Sequence, residues 1–218
     1  MRHFAERGYE DTRVQDIAAD LGIAKGSIFQ HFGSKEQLFL ATYERAARSL
    51  PTYLDVPEEV LRKGFFATLR YGLDLIENMI REDWVPNRVT LIGRWGTGLR
   101  IRREINRFFA TEDPYRAREF VRFGMERGEL RGDLDIDLVI ALLDWVLERT
   151  QDALVKEELD PGIFRPVGGS REWAQMRIDQ FVELFRTAVA VQPAIGGGEQ
   201  ASARAPQHDQ PAYRPRAS

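Results

Sequence analysis

Cysteine is absent from the 218-residue chain. That removes disulfides, thiolate metal ligands and cysteine nucleophiles together, and it fits a reducing compartment. Histidine is scarce: His3, His31 and His208 stand in unrelated contexts, and no His/Asp/Glu grouping has the spacing of a metal site. No nucleophile is paired with a base, so neither an enzyme nor a cofactor is expected. No apolar run approaches the roughly 18 residues of a membrane span. The opening MRHFAERGYED carries charges where a signal peptide needs an apolar stretch. The expected location is the cytoplasm, with no membrane partner. A surplus of one charge is also lacking. The net charge is −3, and residues 1–50 hold seven Lys/Arg against seven Asp/Glu. A neutral domain still binds DNA if its few cations and helix N-termini point the same way.

Alternating β-branched segments are missing too, and the chain reads as all-α. Apolar residues recur at three and four, as in Leu61, Phe65, Leu69, Leu73, Ile76 and Ile80, which form one stripe. Breaks are expected at Gly22, Gly33, Pro51 with Pro57, Pro86, Pro114, Gly132 and across 161–169. Three regions follow: short helices over 1–50, longer helices over 58–191, and a Gly/Pro/Ala/Gln-rich tail over 192–218 with little to bury, expected to be disordered.

Residues 12–39 carry the chemistry. Thr12 and Gln15 have capping-box spacing, which predicts a helix from Arg13 with Val14, Ile17, Ala18 and Leu21 buried. Gly22 ends it, and Ile23 is expected to plug the core within the turn. A second helix, from about Lys25 to Phe32, buries Ile28 and Phe32 and shows Lys25, Ser27, Gln30 and His31 to solvent. Ser34 and Gln37 form another capping box and open a third helix through Phe39, Tyr43 and Leu50. Two short helices joined by a tight glycine turn make a helix-turn-helix, whose second helix meets base edges while flanking helix ends meet phosphates. Gly26 would let the backbone come close to DNA. Thr12, Arg13 and Lys35 sit at flanking helix starts, where free N–H groups favour phosphate oxygens.

The combination of Phe4, Gly8, Tyr9, Thr12, Asp16-Ile17-Ala18, Gly22, Lys25-Gly26-Ser27, Phe29, His31-Phe32 and Ser34-Lys35-Glu36-Gln37-Leu38 resembles the TetR family of bacterial regulators. The resemblance implies a dimer on a near-palindromic operator in double-stranded DNA, a small-molecule effector, and a phosphate contact by Lys35. It also places Phe29 where the family has a phosphate-contacting tyrosine, without that hydroxyl. In this family the helix before the helix-turn-helix is several turns long. Residues 1–7 are short for that role, so the reading frame is expected to continue upstream. The DNA-binding set is thus Thr12, Arg13, Lys25, Gly26, Ser27, Phe29, Gln30, His31 and Lys35.

Two later segments look dimer-forming. Residues 135–159 place Ile136, Val139, Ile140, Leu143 and Leu147 on one face, with Leu142 and Trp145 turned away. Residues 171–191 place Ile178, Phe181 and Phe185 on one stripe. Two such helices per subunit build a four-helix bundle across a twofold axis. An effector pocket is expected between the helices of 58–130, with Phe66, Tyr71, Trp84, Trp95, Phe120 and Phe123 as candidate lining. The run Gly93-Arg94-Trp95-Gly96-Thr97-Gly98 follows no strand and lacks dinucleotide-site spacing. Its glycines fit a close approach of two helices, or a loosened one. Arg100, Arg103 and Arg107 read as a solvated face. The alternative to a ligand-responsive regulator is a helical small-molecule-binding protein that has lost DNA binding.

Overall fold

A computed structural model describes residues 1–52, 54–155 and 171–191. The 161–169 break, the predicted helix end at 156–159 and the tail 192–218 lie outside the described residues. The described residues contain eleven helices and one isolated bridge between Leu130 and Ala190. None of these helices is long and apolar enough to cross a membrane.

The first four helices are α1 (Arg2–Asp11), α2 (Val14–Asp20), α3 (Lys25–Phe32) and α4 (Lys35–Ser49). The predicted cap of α4 is present: the Ser34 hydroxyl oxygen accepts from the Gln37 N–H at 3.1 Å. The predicted cap of α2 is not. Thr12 closes α1, is buried, and donates its hydroxyl to the carbonyls of His3 (3.0 Å) and Gly8 (2.6 Å); Arg13 stands at the N-cap of α2 without a side-chain bond. Two apolar residues expected inside are outside: Leu21 is 64% exposed and Ile23 45%. The reason is that α2 stops at Asp20 after less than two full turns, so only Val14, Ile17 and Ala18 keep its inward stripe. Phe32 is half-buried at the end of α3.

The predicted stripe over 58–80 runs through two helices, α5 (Glu58–Arg62) and α6 (Phe65–Glu82). Gly64 separates them at φ 102°, and a Cβ there would lie 2.3 Å from a Glu129 carboxylate oxygen. That carboxylate accepts the Phe65 N–H at 2.9 Å and so satisfies one free donor at the start of α6. The Asp83 carboxylate caps α7 (Trp84–Trp95) through the Val85 N–H at 3.1 Å. Pro86 falls in the first turn of α7, where its missing donor costs nothing. Next come α8 (Leu99–Glu112), α9 (Ala117–Glu126), α10 (Ile136–Val155) and α11 (Arg171–Val189).

Two apolar cores result. The first joins Phe4, Ala5, Val14, Ala18, Ile28, Phe39 and Tyr43 of α1–α4 to Val89 and Ile92 of α7 and Ile101, Ile105 and Phe108 of α8. Gly93 makes the approach possible, since a Cβ there would lie 2.3 Å from the Tyr43 ring. α8 lies along α4 in the same direction. Arg100 pairs with Glu36 near the start of α4, and Glu112 pairs with Arg48 near its end. The second core gathers Phe65, Phe66, Leu69 and Leu73 of α6, Phe120 and Val121 of α9, Val139 and Leu143 of α10, and Ile178, Val182 and Phe185 of α11. Arg70 ties α6 to α11 through Asp179 and Gln175.

This second core corrects the dimer-face reading. Val139, Leu143, Ile178 and Phe185 are buried within the subunit, and Ile136, Ile140, Leu147 and Phe181 pack half-buried against the same core. The uncovered apolar side chains stand on the opposite side: Leu138, Leu142 and Trp145 on α10, and Met176 and Leu184 on α11. A helix buried on two sides has two apolar stripes, and the richer stripe faces its own core.

Candidate DNA interface and effector region

α3 sets the geometry of the interface. Of its eight residues only Ile28 is buried; Lys25, Gly26, Ser27, Phe29, Gln30 and His31 are all exposed. The Lys25 ammonium lies 5.6 Å above the Phe29 ring. This contact holds the ammonium near the first turn of α3 and explains a use for an exposed phenyl ring that has no hydroxyl. His31 meets the Phe32 ring edge-on at 4.5 Å. A Cβ on Gly26 would meet no atom within 4 Å, so the backbone there is open to a close partner.

The flanking residues divide. Arg13 is exposed at the start of α2. Thr12 is not available, since its hydroxyl is used inside the fold. Lys35 lies at the start of α4, but its ammonium already donates to the Glu10 carbonyl at 2.9 Å and sits 4.7 Å above the Tyr9 ring. An ammonium has three donors, so two remain. The acidic residues of α2 are drawn toward α1: Asp16 pairs with Arg7 at 2.5 Å and Asp20 with His3 at 2.7 Å. The Arg7 guanidinium moderates the negative charge of Asp16 close to α3.

In the second half of the chain the six candidate aromatics do not form one lining. Phe66 and Phe120 are closed into the second core, where Phe65 meets Phe66 edge-on and stacks on Phe120 at 4.3 Å. Phe123 continues that stack, half-buried, at 6.4 Å from Phe120. Tyr71 is half-buried on α6, whereas Trp84 and Trp95 are exposed. Aromatic residue type does not distinguish a core ring from a pocket ring, which is why the sequence offered all six alike.

The sequence reasoning missed a buried polar centre around Arg94 of α7. Arg94 meets Asp152 of α10 at 2.5 Å and Gln151 at 3.0 Å, with Glu148 at 4.0 Å. Trp95 donates its indole N–H to the second Asp152 oxygen at 2.6 Å, and Gln151 donates to Asn87 at 2.5 Å. Burial works against the Arg94 charge, but the Asp152 and Glu148 carboxylates outweigh it and keep the guanidinium protonated. Burial lifts the Glu148 carboxyl above its ordinary range; Arg94 opposes the shift and Asp152 adds to it. Tyr43 of α4 and Tyr115 lie within the field of Arg94, and burial pushes both phenols far above their usual range, so both remain protonated. The Arg94 Nε is buried without a hydrogen-bond partner among the described residues. The signal was present: an arginine between glycines on α7, facing Glu148 and Asp152 at i,i+4 spacing on α10. Among the described residues no group of three or more His, Asp or Glu is placed to hold a metal ion.

Comparison with known proteins agrees with this geometry. Residues 1–42 match the family model for bacterial regulatory proteins of the tetR family. The HTH-type transcriptional repressor AcnR of Corynebacterium efficiens is 32% identical over 164 residues, which cover 71% of this chain and 74% of that protein. AcnR of Corynebacterium glutamicum is 30% identical with the same coverage. The crystal structure of the transcriptional regulator FadR from Bacillus subtilis, in complex with stearoyl-CoA, shares the fold at a TM-score of 0.61 and 18% identity, covering 85% of this chain and 93% of FadR. With a helix-turn-helix whose second helix faces solvent and relatives similar along most of their length, the chain belongs to the TetR family of bacterial regulators.

Proposed function

We propose that the chain is a transcriptional repressor that holds a near-palindromic operator as a homodimer and releases it when a small molecule binds the helical domain. The observation that carries this reading is α3, which buries Ile28 and presents Lys25, Ser27, Gln30 and His31 outward. Two such helices in a dimer would enter successive major grooves about 34–36 Å apart. The uncovered apolar residues Leu138, Leu142, Trp145, Met176 and Leu184 support an interface between two copies built from α10 and α11.

We place the effector beside the Arg94 centre. Its unpartnered Nε and its contacts with α4, α7 and α10 support that position: a ligand bound there would bear on the helix leading to the DNA-binding end. FadR, which was solved with stearoyl-CoA, supports an organic effector for this fold.

Polarisation binding of the full-length protein to DNA from upstream of its own gene tests the reading. Lys25→Ala and Ser27→Ala should each cost about 1–3 kcal/mol on that DNA by removing a base contact. Selection from random duplexes should then return a motif relaxed at one position. An unchanged motif for both variants contradicts base reading by α3, and a wild type without duplex affinity favours a small-molecule binder that has lost DNA binding.

A further inference from the structure

α8 brings a second cationic face to the DNA-binding end. Arg100 Nε lies 2.9 Å from Glu36, next to Lys35 at the start of α4, while Glu112 lies 3.2 Å from Arg48 at the other end. Each pair is separated from the other by twelve residues along both helices, about 18 Å at the helical rise. The first turn of α8 is therefore level with the first turn of α4. Arg100, Arg103 and Arg107 share one side of α8 by their i, i+3, i+7 spacing, away from the buried Ile101, Ile105 and Phe108. All three are exposed. Arg107 also lines one open groove with His31, at the end of the recognition helix, and with Gln37. The groove contains Glu44, Glu104 and Glu112 as well, and Glu104 binds Arg107 at 2.6 Å. Glu36 and Glu104 thus hold Arg100 and Arg107 in place, whereas Arg103 has no ion pair among the described residues.

A solvated helix face accounts for the composition of this stripe. It does not account for its alignment with the start of α4 or its continuity with His31. We propose that the arginine face of α8, with Arg103 at its centre, is a second phosphate-binding surface that contacts the duplex backbone beyond the bases faced by α3. Guanidinium groups suit this role because their planar donors match two phosphate oxygens at once. The proposal rests on the DNA-binding reading above and adds to it a surface outside the helix-turn-helix.

The test measures affinity of the full-length protein for mixed-sequence duplex DNA across a salt series, for wild type, Arg103→Ala, Arg103→Lys and Arg103→Glu. Each phosphate contact adds about 0.9 to the slope of log affinity against log salt, so Arg103→Ala should lower the dimer's slope by about two. Arg103→Lys should retain most of it, and Arg103→Glu should bind weaker still. Melting temperatures equal to wild type would separate this loss from unfolding. Ethylation interference on the upstream DNA should show phosphates lost in Arg103→Ala that are kept in Lys25→Ala. Wild-type slope and interference pattern in both Arg103→Ala and Arg103→Glu would overturn the proposal while leaving α3 as the reading helix. A wild type that binds no duplex at all would overturn the parent reading as well, a separate result.

Discussion

Arg94 draws its partners from distant parts of the chain: Glu148, Gln151 and Asp152 from α10, and the phenols of Tyr43 and Tyr115 nearby. Such a centre is held by mutual satisfaction, because removing one member of a buried ion pair leaves an uncompensated charge. Glu148 is its least comfortable member, since burial favours its protonated form. Its folded-state pKa lies above the ordinary value of 4.5, so between those two values the folded chain binds more protons than the unfolded chain. Stability from this group is therefore greatest at low pH and declines as pH rises through that window. Glu148→Gln should remove this part of the decline. Its urea midpoint relative to wild type should rise from pH 4.5 to neutrality. A variant that instead loses ground to wild type over that range would show that the ionised carboxylate is the favoured form.

At the scale of elements, the close crossing of α7 and α4 depends on Gly93. An alanine there puts its methyl into the Tyr43 ring, in a core formed by α1, α4, α7 and α8. Overpacking of this kind costs about 1–3 kcal/mol, so Gly93→Ala should lower the denaturation midpoint measurably. A midpoint equal to wild type would mean that the ring swings aside freely. The sequence indicated such a close approach through its glycine-rich run but not which helix was approached. Periodicity likewise located α3 and α4 well. Ser34 capped as its spacing required, and Ile28 was buried on α3. Thr12 shows the limit of that reasoning. Its spacing to Gln15 suited a cap, yet α1 ends on it and its hydroxyl turns back to the carbonyls of His3 and Gly8. Capping residues look alike from either side of a helix boundary. For α10 the apolar pattern covered most of the circumference, and pattern alone does not say which stripe meets its own core and which meets a partner.

At the scale of the whole molecule, the uncovered stripe predicts assembly. Trp145 is 63% exposed and Leu184 70%, on the two helices that also close the second core. Trp145→Arg should shift the protein from dimer toward monomer in sedimentation velocity while leaving its helical circular dichroism intact. Val139→Ala should do the reverse: it loosens the subunit's own core and leaves association unaffected. A Trp145→Arg protein that sediments as wild type would place the interface elsewhere.

The shared first core also bears on modularity. Phe4 of α1 and Phe39 and Tyr43 of α4 are covered in part by Val89, Ile92, Ile101, Ile105 and Phe108 of α7 and α8. Cutting at 51–57 therefore does not release an independent module. A chimera that grafts residues 1–50 onto a different sensor inherits an open apolar surface unless the recipient's matching helices carry complementary side chains. The seam between the two halves is a set of touching residues rather than a linker, and engineers of hybrid biosensors would have to transplant it whole.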